Sequence, residues 1–530
     1  MAEASRLEST TVGGILEDKA RQNGTKPLIY FKDEVASYEQ TNERANRVAN
    51  WFLSMGFRKG DKVIILLGNC LEWLYVWFGL AKIGVVTVPL NTQHKDSLLQ
   101  YLINHSDARL MVVGKNLVDR IKPIRGRLTT LTTLVLHPSS SGVLDLGLDT
   151  ISFPELLHGS PANPESDVEF HDTLTMLYTT DPVGPSQGVV SPHGQYIRCG
   201  KERAKLVRIT PNDVFASVSP LYHIIPLGDI LMTSLLGDAA IVVCDRFSAR
   251  RFWEDVRRYN ITLSGGFGIV MNLLYMQPPK DNDADNSLRQ LIIPDAPESI
   301  REAFEKRFNV AVTDAYGMTE VDPLTATTIE DRRPGSCGKA ADGLEVKVFD
   351  DNGNELKPGE IGEIVCRPKR AYVMMREYYK MPDKTIERWR NLWFHTDDYG
   401  YQDEDGYFYF VGGKNDAIKW RGENVSAFEV EEIIHSHSSV LEAAVVGIPS
   451  ELGGHDVKAT LQLKEGETMT PGQLIEFCEQ RMAFFMIPRY VEFVDRFPRS
   501  GAGKVVKSHL KAISEGTWDR ERVGYRVKRG

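Results

Sequence analysis

Tyr316-Gly317-Met318-Thr319-Glu320 follows the apolar run Asn309 to Thr313. Such a run reads as a strand, so the pentapeptide places a hydroxyl and a carboxylate at a strand end, where α/β enzymes put their ligands. Taken alone, the segment reads equally well as ordinary turn chemistry. Upstream, Lys62 to Leu67, Leu110 to Val113, Val214 to Val218 and Ala239 to Cys244 are further β-rich runs. Most are continuously apolar, as strands covered on both faces by helices are. Asp18 to Gln22, Tyr38 to Met55 and Glu72 to Ile83 read as helices, the second with apolar residues at helical spacing across Ala45, Val48, Ala49, Phe52 and Leu53. The expectation is an α/β fold in which helices pack on sheets.

Downstream of about Ala340 the texture changes. Leu344 to Phe349, Gly362 to Cys366 and Tyr407 to Val411 look like strands joined by Gly and Asp turns, a small β subdomain. After the polar stretch Gly412 to Asp416 a new α/β segment begins, with strands near Leu441 to Val446 and Val457 to Leu463 and a helix from Gly472 to Arg481. The expected division is residues 1–412 for a large N-terminal domain of layered α/β subdomains plus the β subdomain, 413–416 for a hinge, and 417–530 for a small α+β C-terminal domain.

Composition narrows the function classes. The chain has 530 residues, 42% of them hydrophobic, enough for several cores. A formal charge of -9 gives no global basic field, so nucleic acid is not expected as a partner. Cys70, Cys199, Cys244, Cys337, Cys366 and Cys478 are scattered, without CxxC or metal-ligand spacing, as in a chain from a reducing compartment. The first ten residues lack the apolar core of a secretory signal, and the apolar stretch Trp73 to Leu80 is too short to span a bilayer. The expectation is a cytoplasmic protein without stable membrane insertion.

The order of the remaining motifs carries more weight than any one of them. After Tyr-Gly-Met-Thr-Glu come Thr396-Asp397-Asp398, then Gly422-Glu423-Asn424-Val425 with Glu429-Val430-Glu431, then Pro498-Arg499-Ser500-Gly501-Ala502-Gly503-Lys504. Pro220-Leu221-Tyr222-His223 and Gly335 to Asp350 fall between and before them. Over nearly its whole length the chain resembles the adenylate-forming superfamily of acyl-CoA ligases, peptide-synthetase adenylation domains and luciferases.

The resemblance implies two half reactions at one site: ATP and a carboxylate give an acyl-adenylate and pyrophosphate, then a mobile C-terminal domain rotates and a thiol attacks. Coenzyme A and AMP, the latter as acyl-adenylate, are the implied cofactors. By position, Tyr316 with Gly317 would flank the adenine, Thr319 would contact the α-phosphate, Asp398 would accept the ribose hydroxyls, and Glu320 would hold Mg²⁺. Asp295, Ala296, Thr179 and Thr180 complete the implied nucleotide contacts. Lys504 would be the adenylation lysine, stabilising charge as it builds. His223 would gate or orient between acyl pocket and thiol channel, with a satisfied strand-end histidine as the equal alternative. Arg421 and Gly422 would border the pantetheine arm. His435 and His437, spaced like a metal pair, read as a helix end. Gly265-Gly266 could widen an acyl pocket, but reads more readily as an ordinary turn.

One segment breaks the pattern. The superfamily's phosphate loop reads Tyr-Thr-Ser-Gly-Thr-Thr-Gly-x-Pro-Lys-Gly, and here it is Tyr178-Thr179-Thr180-Asp181-Pro182-Val183-Gly184-Pro185-Ser186-Gln187-Gly188. Such loops hold phosphate with hydroxyls, amide N–H groups and one cation. Pro182 removes an amide donor, Val183 a hydroxyl, and Gln187 stands where the lysine would be. At about 5 Å from a phosphate and an effective dielectric near 20, the added charge of Asp181 costs roughly 3 kcal/mol, over a hundredfold in affinity. Gly412-Gly413 replaces the superfamily's Gly-Arg, Pro294-Asp295-Ala296-Pro297 its Gly-Gly-Ala-Pro, and the hinge position is shared by Asn415 and Asp416.

The AMP-facing residues survive while the pyrophosphate-facing ones are degraded, which counts against ATP and Mg²⁺ as cofactors. The leading expectation is an acyl-CoA ligase limited to thioesterification, taking an acyl-adenylate from a separate adenylating ligase, as in the split ligase systems of bacterial diterpenoid antibiotic pathways such as those of platensimycin and platencin, which the pattern resembles. Lys504 and Glu320 stand against that reading. A complete ATP-dependent ligase with an unusual loop and a catalytically inactive binding protein of the same fold remain open.

Overall fold

Apolar β-branched runs become the inner strands of two sheets. In the computed structural model, which describes residues 10–138, 146–181, 184–266, 268–294, 296, 298–413, 418–498 and 505–527, one sheet has eight strands in the order Glu377–Tyr378, Gly184–Pro192, Thr173–Asp181, Val86–Pro89, Lys62–Leu66, Leu110–Gly114, Thr133–His137 and Asp149–Ser152. It is parallel from Thr173–Asp181 to Asp149–Ser152 and antiparallel at the other edge. The other has seven strands, in the order Ala311–Thr313, Gln290–Ile292, Leu263–Gly265, Val214–Ser217, Ala240–Val243, Pro27–Phe31 and Glu34–Ser37, parallel except for its last pair.

The helices Tyr38–Ser54 and Leu71–Lys82 join these sheets through one apolar core, in which Ile29, Ile241 and Leu263 of one sheet meet Val63, Ile65 and Val112 of the other. Ser37 starts the first helix through a capping box with Gln40. The second is buried almost all round, so its run of apolar residues is core. Among the described residues no helix is long and apolar enough to cross a membrane.

Two expectations shift. The first helix runs Val12–Asn23, because the Thr11 hydroxyl accepts from the Gly14 amide and starts the helix before Asp18. The strand expected from Asn309 begins at Ala311, since Asn309 takes a left-handed φ of 53° just past the helix Glu298–Phe308.

Past Ala340 the antiparallel texture read from the sequence is present: Leu344–Phe349, Gly362–Pro368, Trp393–Gln402 and Phe408–Gly413 pair in turn. The last part of the chain has its own sheets, the hairpin Ile418–Trp420 with Glu423–Val425 and a four-stranded sheet of Val440–Pro449, His455–Leu463, Tyr490–Phe493 and Trp518–Asp519. A large α/β part and a small C-terminal α+β part follow, as the sequence indicated.

Gly79 sets how closely the two inner helices approach. A Cβ there would lie 2.8 Å from the Ala45 carbonyl oxygen and from a Val48 methyl. Gly79→Ala should therefore destabilise by about 1–3 kcal/mol through overpacking, in spite of alanine's better helix propensity. Urea unfolding followed by tryptophan fluorescence checks the shift in midpoint.

Candidate active site

The seven-stranded sheet ends its strands Leu263–Gly265 and Gln290–Ile292 at a cavity of about 420 Å³. Five further segments close it: Tyr222 to Ile225, Ala315 to Glu320, Thr396 to Asp398, Thr179 with Ser186 and Gln187, and Lys419 to Glu423 from the C-terminal part. Gly265 and Gly266 are cavity wall, which corrects their reading as an ordinary turn. They continue a strand, and the Gly266 amide donates to the Ile292 carbonyl at 3.1 Å.

Ala315–Met318 is itself a strand, antiparallel to Val321–Ala326, so Thr319 and Glu320 lie in the turn between them. The Tyr316 hydroxyl donates to Asp398 Oδ2 at 2.6 Å. Burial raises the Asp398 carboxyl, partly offset by that hydroxyl and by Lys419 and Arg388. Asp397 and Asp398 sit within the strand Trp393–Gln402. A φ of 58° at Asp397 separates the two carboxylates, and Asp397 pairs with Arg388 at 2.5 Å. Gly317 has a packing reason: a Cβ there would lie 2.1 Å from Asp322 Oδ1.

The Thr319 carbonyl accepts from Gln195 at 2.9 Å. Glu320 is 3% exposed, and its Oε1 accepts the Tyr378 hydroxyl at 2.7 Å. Burial raises this carboxyl as well. Among the described residues the metal-type grouping of three ligands is Cys70, Glu72 and His137, none of which lines the cavity.

The altered phosphate segment is a hairpin, with Thr179 opposite Gln187 and Asp181 opposite Gly184. Gln187 is buried and lines the cavity, so an amide occupies the place of the expected cation. Ser186 donates through both its amide, at 3.0 Å, and its hydroxyl to Glu429 Oε1 at the start of the helix Ala427–His435. The hairpin is thereby tied to the C-terminal part.

A second tie lies at His223. Glu423 Oε2 is 3.6 Å from His223 Nε2, Glu423 Oε1 accepts from Tyr222 at 3.3 Å, and Asn91 donates to Oε2 at 3.3 Å. Burial alone would raise the Glu423 carboxyl, but His223, His94 and the Tyr222 hydroxyl outweigh it and hold it below the usual 4.5. Burial takes the His94 imidazole down to about 4, so it is neutral at pH 7. The two-residue turn that presents Glu423 has Arg421 at φ 47° and Gly422 at φ 93°, a primed turn in which glycine takes the more demanding angle. Arg421 stacks on Trp420 at 4.7 Å. Cross-seam bonds from Asn272 to the Leu452 carbonyl, 3.1 Å, and from Lys95 to the Glu479 carbonyl, 3.2 Å, hold the same arrangement.

The cavity thus gathers His223, Thr319, Tyr316, Gly317, Asp398, Arg421, Gly422, Thr179 and Glu320. Ala296 does not join them: it packs beside the core around Phe304, and Pro294 is the cavity contact of that segment. Lys504, Asp295, Pro182, Val183, Asn415 and Asp416 lie outside the described residues, as do the side chains of Thr180 and Asp181. His435 and His437 accept from the Ala443 and Ser439 amides at 2.8 and 3.2 Å, a helix end as read. The sequence reading missed Asn69. Its side chain accepts from the Leu221 amide at 2.9 Å and donates to the Ser219 and Cys244 carbonyls, fixing the loop before His223. No motif marks it.

Residues 16–379 match the model of the AMP-binding enzyme family, and residues 429–504 that of the AMP-binding enzyme C-terminal domain. A crotonobetaine/carnitine–CoA ligase of Proteus mirabilis is 33% identical over 90% of this chain and 93% of its own. A double mutant of o-succinylbenzoate CoA synthetase from Bacillus subtilis, bound to a CoA product analogue, is 24% identical and superposes with a TM-score of 0.82 over 95% of this chain and 98% of its own. The same synthetase with its acyl-adenylate superposes at 0.68, again with 24% identity, over 96% and 99%.

The lowered Glu423 carboxyl sets the pH response of the seam. A depressed folded value contributes stability above the unfolded pKa and loses it as the pH falls through the folded one. Protection of the Trp420 to Val425 amides against hydrogen exchange, taken relative to the intrinsic rate at each pH, should therefore hold above the usual carboxylate value of 4.5 and fall as the pH drops well below it. Glu423→Gln should speed exchange there at neutral pH and flatten the dependence.

Proposed function

The chain belongs to the AMP-binding enzyme family, and from that premise we propose that it is an acyl-CoA ligase whose better-preserved half reaction is transfer of the acyl group from an acyl-adenylate to CoA, with release of AMP. The observation that carries this reading is the Arg421-Gly422-Glu423 turn seated against Tyr222 and His223 at the cavity mouth.

In this reading Tyr316 and Gly317 flank the adenine, Asp398 receives the ribose diol, and Thr319 meets the α-phosphate. Arg421 and Gly422 border the thiol arm. The thiol sulfur attacks the acyl carbonyl, a C–S bond forms, and the bond to the AMP phosphate oxygen breaks. His223, beside the Glu423 carboxylate, suits receipt of the thiol proton. In this reading residues 413–416 are the hinge about which the C-terminal part turns, with Lys504 serving in the other orientation. Carnitine, named in the relatives and carrying a hydroxyl besides its carboxyl, is the acid to try first.

Adenylation is the weaker half. Gln187 brings an amide to the cavity where a cation would serve pyrophosphate, and the sequence adds an acidic residue, Asp181, to the same loop. An acyl-adenylate from a separate adenylating ligase would bypass that defect. The second reading, a complete ATP-dependent ligase, is favoured by Tyr316, Asp398 and Glu320 all lining the cavity. Glu320 suits Mg²⁺, which is held by one or two carboxylates plus phosphates and water and would neutralise phosphate charge.

Synthetic acyl-adenylate with CoA should give acyl-CoA at least about tenfold faster than free acid with ATP, Mg²⁺ and CoA. Equal or faster product from the ATP reaction, followed by chromatography and pyrophosphate release, overturns the division. In a second experiment, Asp181→Gly with Gln187→Lys should raise pyrophosphate release by about tenfold or more, since it removes one unfavourable charge and restores the favourable one.

A further inference from the structure

Apart from the nucleotide-facing residues, the cavity wall includes Phe215, Ile224, Ile225, Ile230 and Ile292, the lining of an apolar acyl pocket. Three ionisable side chains interrupt it. Arg203 comes from the helix His193–Val207, Asp229 from the π-helical turn Ile225–Leu231 and Asp322 from the strand Val321–Ala326. All three line the cavity, and they are 3%, 4% and 6% exposed. An acyl pocket for a plain hydrocarbon has no use for such a group, because each charge withdrawn from water needs a partner.

Their partners are incomplete. Arg203 Nη2 donates to Asp229 Oδ2 at 2.7 Å. Among the described residues, Arg203 Nε, Asp229 Oδ1 and Asp322 Oδ2 have no hydrogen-bond partner. Arg198 is nearby, but its donors go to the carbonyls of Asp322, Pro323 and Val373, at 2.8, 3.1 and 2.9 Å. It fixes the backbone that presents Asp322. Gly317 leaves room for Asp322 Oδ1, which lies 2.1 Å from where a Cβ would be. Burial and then the Asp229 charge push the Asp322 carboxyl up to about 8, against the pull of Arg203 and Arg198. At neutral pH the Asp322 carboxyl is therefore protonated, and the cluster keeps hydrogen-bonding capacity unused just beneath the cavity wall, where native interiors rarely leave such atoms unmatched.

Resting on the acyl-CoA ligase reading, we infer that the acyl group accepted here carries, beyond its carboxyl, a polar group that hydrogen-bonds with Asp322 and Asp229, a hydroxyl, amide or ammonium. Binding such a group completes the cluster, whereas a methyl end leaves it unpaired and brings nothing in exchange. Discrimination of this kind comes from the buried polar atoms of the site, and it exceeds what an added methylene provides.

The test uses short acyl-adenylates matched in length and ending in methyl, hydroxyl, ammonium or carboxylate, each given to the whole protein with CoA. The hydroxyl or the ammonium compound should exceed the methyl compound in kcat/KM by at least about tenfold, and comparison of the two shows whether charge adds to donation. Asp322→Asn should shrink that ratio several-fold while the melting temperature stays near that of the parent. Preference for the methyl or carboxylate end, equal use of all four, or a ratio unchanged in Asp322→Asn overturns the inference. Calorimetry with the matching acyl-sulfamoyl adenosines reads the same preference without turnover. If no compound yields thioester, the ligase reading fails by itself, and the binding ratio alone decides the subsite.

Discussion

A carboxylate withdrawn from water needs donors to replace its hydration shell, and Glu423 and Glu429 find theirs across the seam between the two parts of the chain. Glu423 is met by Tyr222, Asn91 and His223, and Glu429 by the amide and hydroxyl of Ser186. Both come from a short stretch of the C-terminal part and both reach segments that line the cavity. Separating the two parts would leave these groups to water, so the C-terminal orientation and the shape of the site are one constraint. Beside these polar ties one buried apolar cluster crosses the same seam, running from Ile64, Leu66 and Met176 to Ile418, Val425 and Val430.

The same constraint gives the altered phosphate segment a second meaning. A loop whose task is to wrap a polyphosphate needs free amides and glycine at its tip, whereas Ser186 has its amide engaged by a carboxylate of the other part. Gln187 is buried where a lysine would have faced solvent-borne phosphate. The segment departs from the superfamily's loop in sequence and holds a docking contact to Glu429. At the other end of the cavity Tyr316 and Asp398 are hydrogen-bonded to each other, which orients both.

Much of this was legible in the residues. Apolar runs at Lys62, Leu110 and Val214 became inner parallel strands because a strand buried on both faces must be apolar throughout. Tyr38–Ser54 could be read as a helix from its spacing and cap. Leu344–Phe349 agreed to the residue, its apolar and polar positions alternating in a sheet with one wetter face. Element ends were less readable, since Thr11 and Asn309 act through caps and left-handed φ values that composition does not display.

The sequence by itself determined the element types, the order of motifs, the family and the chemical character of the broken phosphate loop, because each is written in neighbouring residues and local propensity. Only the tertiary structure decided that Asn69 holds the His223 loop, that Ser186 meets Glu429, and that Arg203, Asp229 and Asp322 share one buried wall. Those meetings join residues distant in the chain through strand order and the placing of one part against another. No spacing along a sequence encodes such contacts, because they exist only once the sheets have paired and the cores have closed.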